Sequence, residues 1–325
     1  VALHAGKLAA GCTTPALDKP GITSEVVVDV LDRPMLLEDA QLDVSLEFSP
    51  EPVGYQQILA AGANVVADAA FPPGQPLAGP LLDAIEAGLD PADLPAFQAH
   101  RESSQLDTNI DALLAGFDAN AWCYGIATSG VTAALADAGS ASSIIEGRLT
   151  GDADNPALAT FALETWSGAT PDELGVSASI DVSWSARLGD ELVVSAELPF
   201  SAARLAAHWM QIAATAQYGQ DATVASSLAG DIDCEAIGAL VGGFGDCDAS
   251  CGASLCETGV ARLWLAGLDT PDAYGSVTIS LTAQATVDAS SVPVQFTGSW
   301  AGMLAALGKS GAVAGSATGD TPIPN

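Results

Sequence analysis

Residues 176–188, VSASIDVSWSARL, alternate strictly between apolar and polar positions: Val176, Ala178, Ile180, Val182, Trp184, Ala186 and Leu188 share one face, and Ser177, Ser179, Asp181, Ser183, Ser185 and Arg187 the other. A period of two predicts a half-buried strand. Alternation resumes after Gly189-Asp190 with Leu192, Val194, Ala196 and Leu198, so a hairpin with a two-residue type II′ turn is expected. The same device recurs at 276–287, where Val277, Ile279, Leu281, Ala283, Ala285 and Val287 face inward. Its return strand places Val294, Phe296 and Trp300 inward, with Pro293 suited to an edge strand or a strand's start. A third pair joins Val26, Val28 and Val30 to Leu42, Val44, Leu46 and Phe48, and a shorter candidate strand is SIIEGRLT at 143–150.

Helical periodicity marks about 54–69, 77–88, 93–117, 129–138, 157–166 and 201–218, followed by a pair of helices over about 222–241 and 249–267 around the turn GGFGDCD. Strands of about 12 residues span roughly 40 Å at about 3.3 Å per residue, which forces a sheet to twist and coil. The expected fold is therefore α+β: a long-stranded, strongly curved antiparallel sheet built from hairpins, helices packed on one face, and a disulfide-stapled helical hairpin. The chain divides into an extended segment at 1–20, a globular body at 21–308 with lobes at 21–166 and 170–308, and a Gly/Ser/Pro-rich tail at 309–325, GKSGAVAGSATGDTPIPN from Gly308 onward. Such a tail, if ordered, packs most naturally on a neighbouring subunit.

Charge narrows the partners. Forty Asp and Glu against nine Lys and Arg give a formal net charge of −31. This field repels phosphate backbones and anionic headgroups, which excludes nucleic acid and attachment through a basic patch. It attracts cations and keeps an extracellular protein soluble. The uncharged run from Ala119 to Ala136 is interrupted by Asn120, Thr128, Ser129 and Thr132, so a buried core segment is expected rather than a membrane span. The chain opens on Val1, as a processed chain or a fragment does, and KLAAGC at 7–12 is a poor match to a lipid-attachment site because Lys7 and His4 interrupt the apolar run.

Four of the six cysteines lie in DCEAIGALVGGFGDCDASCGASLC, residues 233–256, spaced C-x12-C-x3-C-x4-C. No C-x2-C knuckle occurs, which argues against zinc, a thioredoxin-type site and haem attachment. Across a helical hairpin, residues equidistant from the turn face one another. Cys234 and Cys256 each lie eleven residues from Gly245, so they are expected to pair, leaving Cys247 with Cys251 and Cys12 with Cys123. Bonded cysteines imply an oxidising, extracytoplasmic compartment.

Candidate chemistry is sparse. His100 stands four residues before Ser104, within helical reach, but lacks an orienting carboxylate and a nucleophile elbow. His208 reads as a helix-surface or interface residue and His4 as part of a loose terminus. Asp152 with Asp154, Asp231 with Asp233, and Asp246 with Asp248 each open like an oxygen-ligand loop and are the candidate calcium ligands, though none continues to a distal Glu. No cofactor is expected other than calcium at these turns. Trp184 and Trp300 belong to inward strand faces; Trp122, Trp166, Trp209 and Trp264 lie in or beside helical segments.

The DCEAIGALVGGFGDC…C…C helical pair followed by a hairpin ending FTGSWAG resembles acidic secreted proteins and lipoproteins of the myxobacterial type. The resemblance covers residues 220–305 and implies no activity. The resulting expectation is a non-enzymatic extracytoplasmic protein, a cell-surface or extracellular assembly (filament or coat) subunit that self-associates, or joins another surface protein, through exposed strand edges. A carrier enclosing a small apolar ligand in the curved sheet is the second expectation, and a hydrolase with an unrecognised carboxylate site the third.

Overall fold

The computed structural model describes residues 2–4, 7–9, 35–47, 49–50, 52–72, 75–136, 144–187, 190–268, 270 and 273–322. A separate hairpin, β1 (Ala2–His4) with β2 (Lys7–Ala9), precedes the main body. There follow β3 (Gln41–Glu47), β4 (Ser49–Pro50), α1 (Pro52–Ala70), α2 (Ala78–Glu86), α3 (Leu94–Ser103), α4 (Leu106–Leu114) and α5 (Ala119–Ala136). The middle of the chain forms β5 (Ile144–Asp152), β6 (Asn155–Trp166), α6 (Pro171–Leu174), β7 (Ser179–Arg187), β8 (Glu191–Ser201) and α7 (Ala202–Tyr218). The last part forms α8 (Val224–Asp231), α9 (Cys234–Val241), α10 (Ala249–Leu268), β9 (Tyr274–Val287), β10 (Pro293–Ala306) and β11 (Lys309–Asp320).

The sheet closes. Its strands run β3-β5-β6-β7-β8-β9-β10-β11 with every neighbouring pair antiparallel, and β11 pairs back onto β3 through Ala317↔Leu46 to Asp320↔Asp43. The curved sheet expected from strand length is thus an eight-stranded barrel. The helices do not cover a face of it. Strands β3, β6 and β8 lead into helices at the same end from which β5, β7 and β9 emerge, so the helices gather over one mouth. There α7 buries Leu205, Trp209 and Met210, while Gly62 of α1 lies so close to the Ala202 carbonyl that a Cβ would come within 2.2 Å of it.

Inward positions are apolar and most outward ones polar or small, with Leu158 and Met303 as exposed exceptions. On β9, Val277, Ile279, Leu281 and Ala283 are buried, and Thr278, Ser280, Thr282 and Gln284 are exposed. This is the reverse of a lipid-facing barrel, whose outer band is apolar. Among the described residues no helix is long and apolar enough to cross a membrane, and the run 119–136 is the helix α5.

Five local expectations change. Residues 157–166 are strand rather than helix: Ala159, Phe161 and Leu163 point inward between β5 and β7, and an extra residue at Glu164 turns Trp166 inward as well. The tail is β11, the strand that closes the barrel, so it packs within its own chain. The pairing Arg187↔Glu191 leaves three residues in the β7–β8 turn instead of two, with Asp190 at φ +64°. The predicted helix over 93–117 breaks at Gln105 (φ 51°), and that over 222–241 breaks at Asp233 (φ 61°), which caps α9 by accepting from the Ala236 N–H. Pro293 does begin its strand. Val26, Val28, Val30, Phe48 and Leu188 lie outside the described residues.

Candidate functional site

The two ends of the barrel differ. At the end opposite the helices, residues 35–40 form a strap across the mouth. The Leu36 N–H donates to the Ser291 carbonyl in the β9–β10 turn at 2.9 Å, and the Gly151 N–H at the end of β5 donates to the Ala40 carbonyl at 2.9 Å. Met35 and Leu37 on this strap are buried. The β9–β10 turn is itself held by Asp288, whose carboxylate accepts from the Ser290 and Val292 N–H groups.

Beneath the strap lies a cavity of about 30 Å³, lined by ten side chains from seven of the eight strands, among them Val44, Leu149, Phe161, Val194, Leu281 and Phe296. All ten are apolar. An eight-stranded barrel is just wide enough to be filled by its own side chains or to hold one small ligand. Trp184 stands beside this cavity: it pairs across the sheet with Val194 and shares its strand face with Val182, and both of these line the cavity. Its residue is 3% exposed, and its indole N–H finds no acceptor among the described residues. Trp300 differs, since its N–H donates to the Glu47 carbonyl at 2.8 Å. Sequence alternation puts Trp184 inside; nothing in the sequence signals the missing acceptor.

Two open grooves lie on the helical half. One of about 530 Å³ runs between the end of α7 and α8, beside Tyr218, Asp221 and Asp231. One Asp231 carboxylate oxygen accepts from the Trp122 indole at 2.6 Å, and desolvation, then the Asp231 charge, raises the Tyr218 phenol. The other, about 400 Å³, lies between α1 and α5 with Gln56, Asn64, Tyr124 and Lys309 on its walls.

The remaining candidate residues serve the architecture. Asp152 accepts from the Asp154 and Asn155 N–H groups and so closes the β5–β6 turn. Asp233 caps α9, and Asp248 caps α10 by accepting from the Cys251 N–H at 3.0 Å. Asp246 is an exposed turn residue. Among the described residues no three His, Cys, Asp or Glu side chains gather around a point where a metal ion would sit.

His100 does meet Ser104: the hydroxyl lies 3.1 Å from Nδ1, while Nε2–H donates to the Leu240 carbonyl at 2.9 Å and ties α3 to α9. His208 Nε2–H donates to the Ser167 carbonyl at 2.9 Å, which ties α7 to the end of β6. In both, the nitrogen that donates is committed to main chain. Burial pushes the Tyr55 phenol above its ordinary range, partly offset by the neighbouring Trp209 indole.

The staples form as the hairpin geometry requires. Cys234 bonds Cys256 (Cα–Cα 5.6 Å) and Cys247 bonds Cys251 (Cα–Cα 5.2 Å). Gly238 and Gly252 permit the close approach of α9 and α10, since a Cβ on Gly252 would come within 2.2 Å of the Gly238 carbonyl. Cys123 is a buried free thiol whose pKa burial pushes up to about 12; Cys12, its expected partner, lies outside the described residues. Two disulfides fit an oxidising environment.

No family model, no curated protein and no solved structure matches the chain. The functional reading therefore rests on the geometry above.

Proposed function

We propose that this is a non-enzymatic, extracytoplasmic binding protein whose barrel takes up a small apolar molecule. The observation that carries the reading is the cavity beneath the strap, whose ten lining side chains include no polar one. A volume of about 30 Å³ is far below the roughly 300–1,000 Å³ of small-molecule sites, so uptake requires the interior to widen and the strap over that mouth to lift. Small inward residues such as Ala196 and Ala283 give the interior room to adjust.

Other features agree with binding rather than reaction or polymerisation. His100 and His208 donate to main-chain carbonyls rather than to a carboxylate. Closure gives each of the eight long strands two neighbours, which removes the exposed edges on which a filament or coat would build. The disulfides and the acidic surface suit a protein working outside the cytoplasm.

The test is titration with N-phenyl-1-naphthylamine, a neutral apolar fluorophore, alongside mass spectrometry of an organic extract of the native protein. Saturable one-to-one binding by a monomer is expected. A folded protein that gives no saturable fluorescence and assembles into polymers by light scattering would show the assembly role instead.

A further inference from the structure

Resting on the reading that the barrel binds an apolar molecule, we infer that its ligand is electrically neutral and carries one acceptor oxygen, which takes the hydrogen bond of the Trp184 indole N–H. Buried polar groups are nearly always bonded, and an orphan calls for a partner that the protein itself does not supply. Among the described residues Trp184 is such an orphan, and it stands next to Val182 and Val194 of the wholly apolar cavity described above, which must widen for a ligand to reach it. Water fills the role poorly. A buried water needs two to four polar partners, and the ten side chains of the cavity wall offer none.

The chemistry of the surroundings selects the class. No cation lines the cavity, and Arg187, three residues further along β7, is on the outward face with Glu191 at 3.1 Å. Burying a carboxylate or phosphate there would leave an uncompensated charge inside a chain of net charge −31. A ketone, ester or aldehyde on a hydrocarbon chain meets both conditions: the chain fills the apolar interior, and the carbonyl oxygen reaches the rim. A fatty-acid anion does not, and a plain hydrocarbon leaves the indole unbonded.

The experiment compares nonan-2-one, nonanoate and n-hexane as competitors of N-phenyl-1-naphthylamine, and follows the indole N–H resonances by two-dimensional NMR. The Trp184 signal is assigned by its loss in Trp184→Phe. Nonan-2-one is expected to bind at least tenfold more tightly than nonanoate and to move the Trp184 N–H resonance downfield, whereas hexane binds without that shift. In Trp184→Phe, ketone affinity falls by about fivefold, as for one neutral hydrogen bond, and hexane affinity stays within twofold. Nonanoate binding as well as the ketone, or ketone binding that leaves the Trp184 resonance in place, overturns the inference while the carrier reading stands. Failure of the fluorophore and of all three competitors to bind overturns the carrier reading and this inference with it. If Trp184→Phe does not fold, the ketone-to-nonanoate ratio decides.

Discussion

The Trp300 indole N–H donates to the main-chain carbonyl of Glu47 at 2.8 Å, so a side chain on β10 bonds the backbone of β3 although β11 lies between them. The crossing is possible because the intervening residue is Gly315: a Cβ there would come within 1.7 Å of the Glu47 oxygen and 3.1 Å of Trp300 Nε1. This contact lies where β3 leaves its pairing with β11 after Leu46, and it holds the seam at which the barrel closes. Gly315→Ala is expected to cost about 1–3 kcal/mol through overpacking, and Trp300→Phe about 0.5–1.5 kcal/mol through the lost hydrogen bond. Urea denaturation checks both, and a variant of either kind within about 0.5 kcal/mol of wild type would show that the seam closes without this bond.

The Arg101 guanidinium, 19% exposed, bonds Asp83 and Glu86 of α2 at 2.8 Å each and grips Asp107 of α4 with two nitrogens at 2.7 and 2.9 Å. These bonds to Arg101 hold the Asp107 carboxyl below the usual carboxylate range. A depressed folded-state pKa adds stability that is present above the unfolded value near 3.9 and is lost as pH falls through the folded value. Because Asp107 is half exposed, screening limits its share to at most about 1 kcal/mol. Stability is therefore expected to be flat near pH 7 and to decline below about pH 4. Asp107→Asn flattens part of that decline, and added salt weakens the whole cluster; denaturant midpoints between pH 2 and 7 measure it.

The strands legible in the sequence are those whose inward residues are bulky, as with Val182 and Trp184 on β7 or Ile279 and Leu281 on β9. β11 was hidden for the opposite reason. Its inward positions are Gly311, Val313, Gly315, Ala317 and Gly319, and their apolar cover comes from other strands: Phe296 lies over Gly319, and Trp300 reaches across Gly315. A strand read alone cannot reveal that its neighbour supplies its side chains. Residues 157–166 misled differently, because Ala, Leu and Glu favour helices while pairing on both edges imposes the period of two. The disulfide pairs were readable because distance from a turn fixes partners in a hairpin. The Trp184 orphan depends on what eight strands bring together, and one strand's pattern carries no trace of it.

The two disulfides differ in what they enclose. Cys234–Cys256 is buried between α9 and α10 with a sequence separation of 22, whereas Cys247–Cys251 has a separation of only 4 and leaves Cys251 exposed. On loop entropy the first contributes about 3 kcal/mol and the second about 2 kcal/mol at most. Mild dithiol treatment of the native protein is expected to open Cys247–Cys251 first, because reagent reaches it. Differential alkylation with mass mapping then finds Cys247 and Cys251 labelled, Cys234 and Cys256 protected, and Cys123 labelled only after denaturation. Simultaneous opening of both bridges, or ready labelling of Cys123 at pH 8, contradicts this packing.

The strap offers the most direct handle on access to the cavity. Gly151 approaches it so closely that a Cβ would come within 2.0 Å of the Leu37 carbonyl, and its own N–H holds Ala40. Gly151→Ala must therefore push the strap outward while leaving the cavity wall beneath, including Leu149 on the same strand, unchanged. If the strap is what a ligand passes, association and dissociation of N-phenyl-1-naphthylamine both quicken, by about threefold or more, and the equilibrium constant moves little. Such a change corresponds to roughly 0.7 kcal/mol off each barrier. Hydrogen exchange supplies an independent reading, since the Leu36 and Gly151 amides bond to Ser291 and Ala40 and lose protection when the strap shifts. Faster amide exchange with unchanged ligand kinetics would mean that the ligand reaches the cavity by another route, through the helical end.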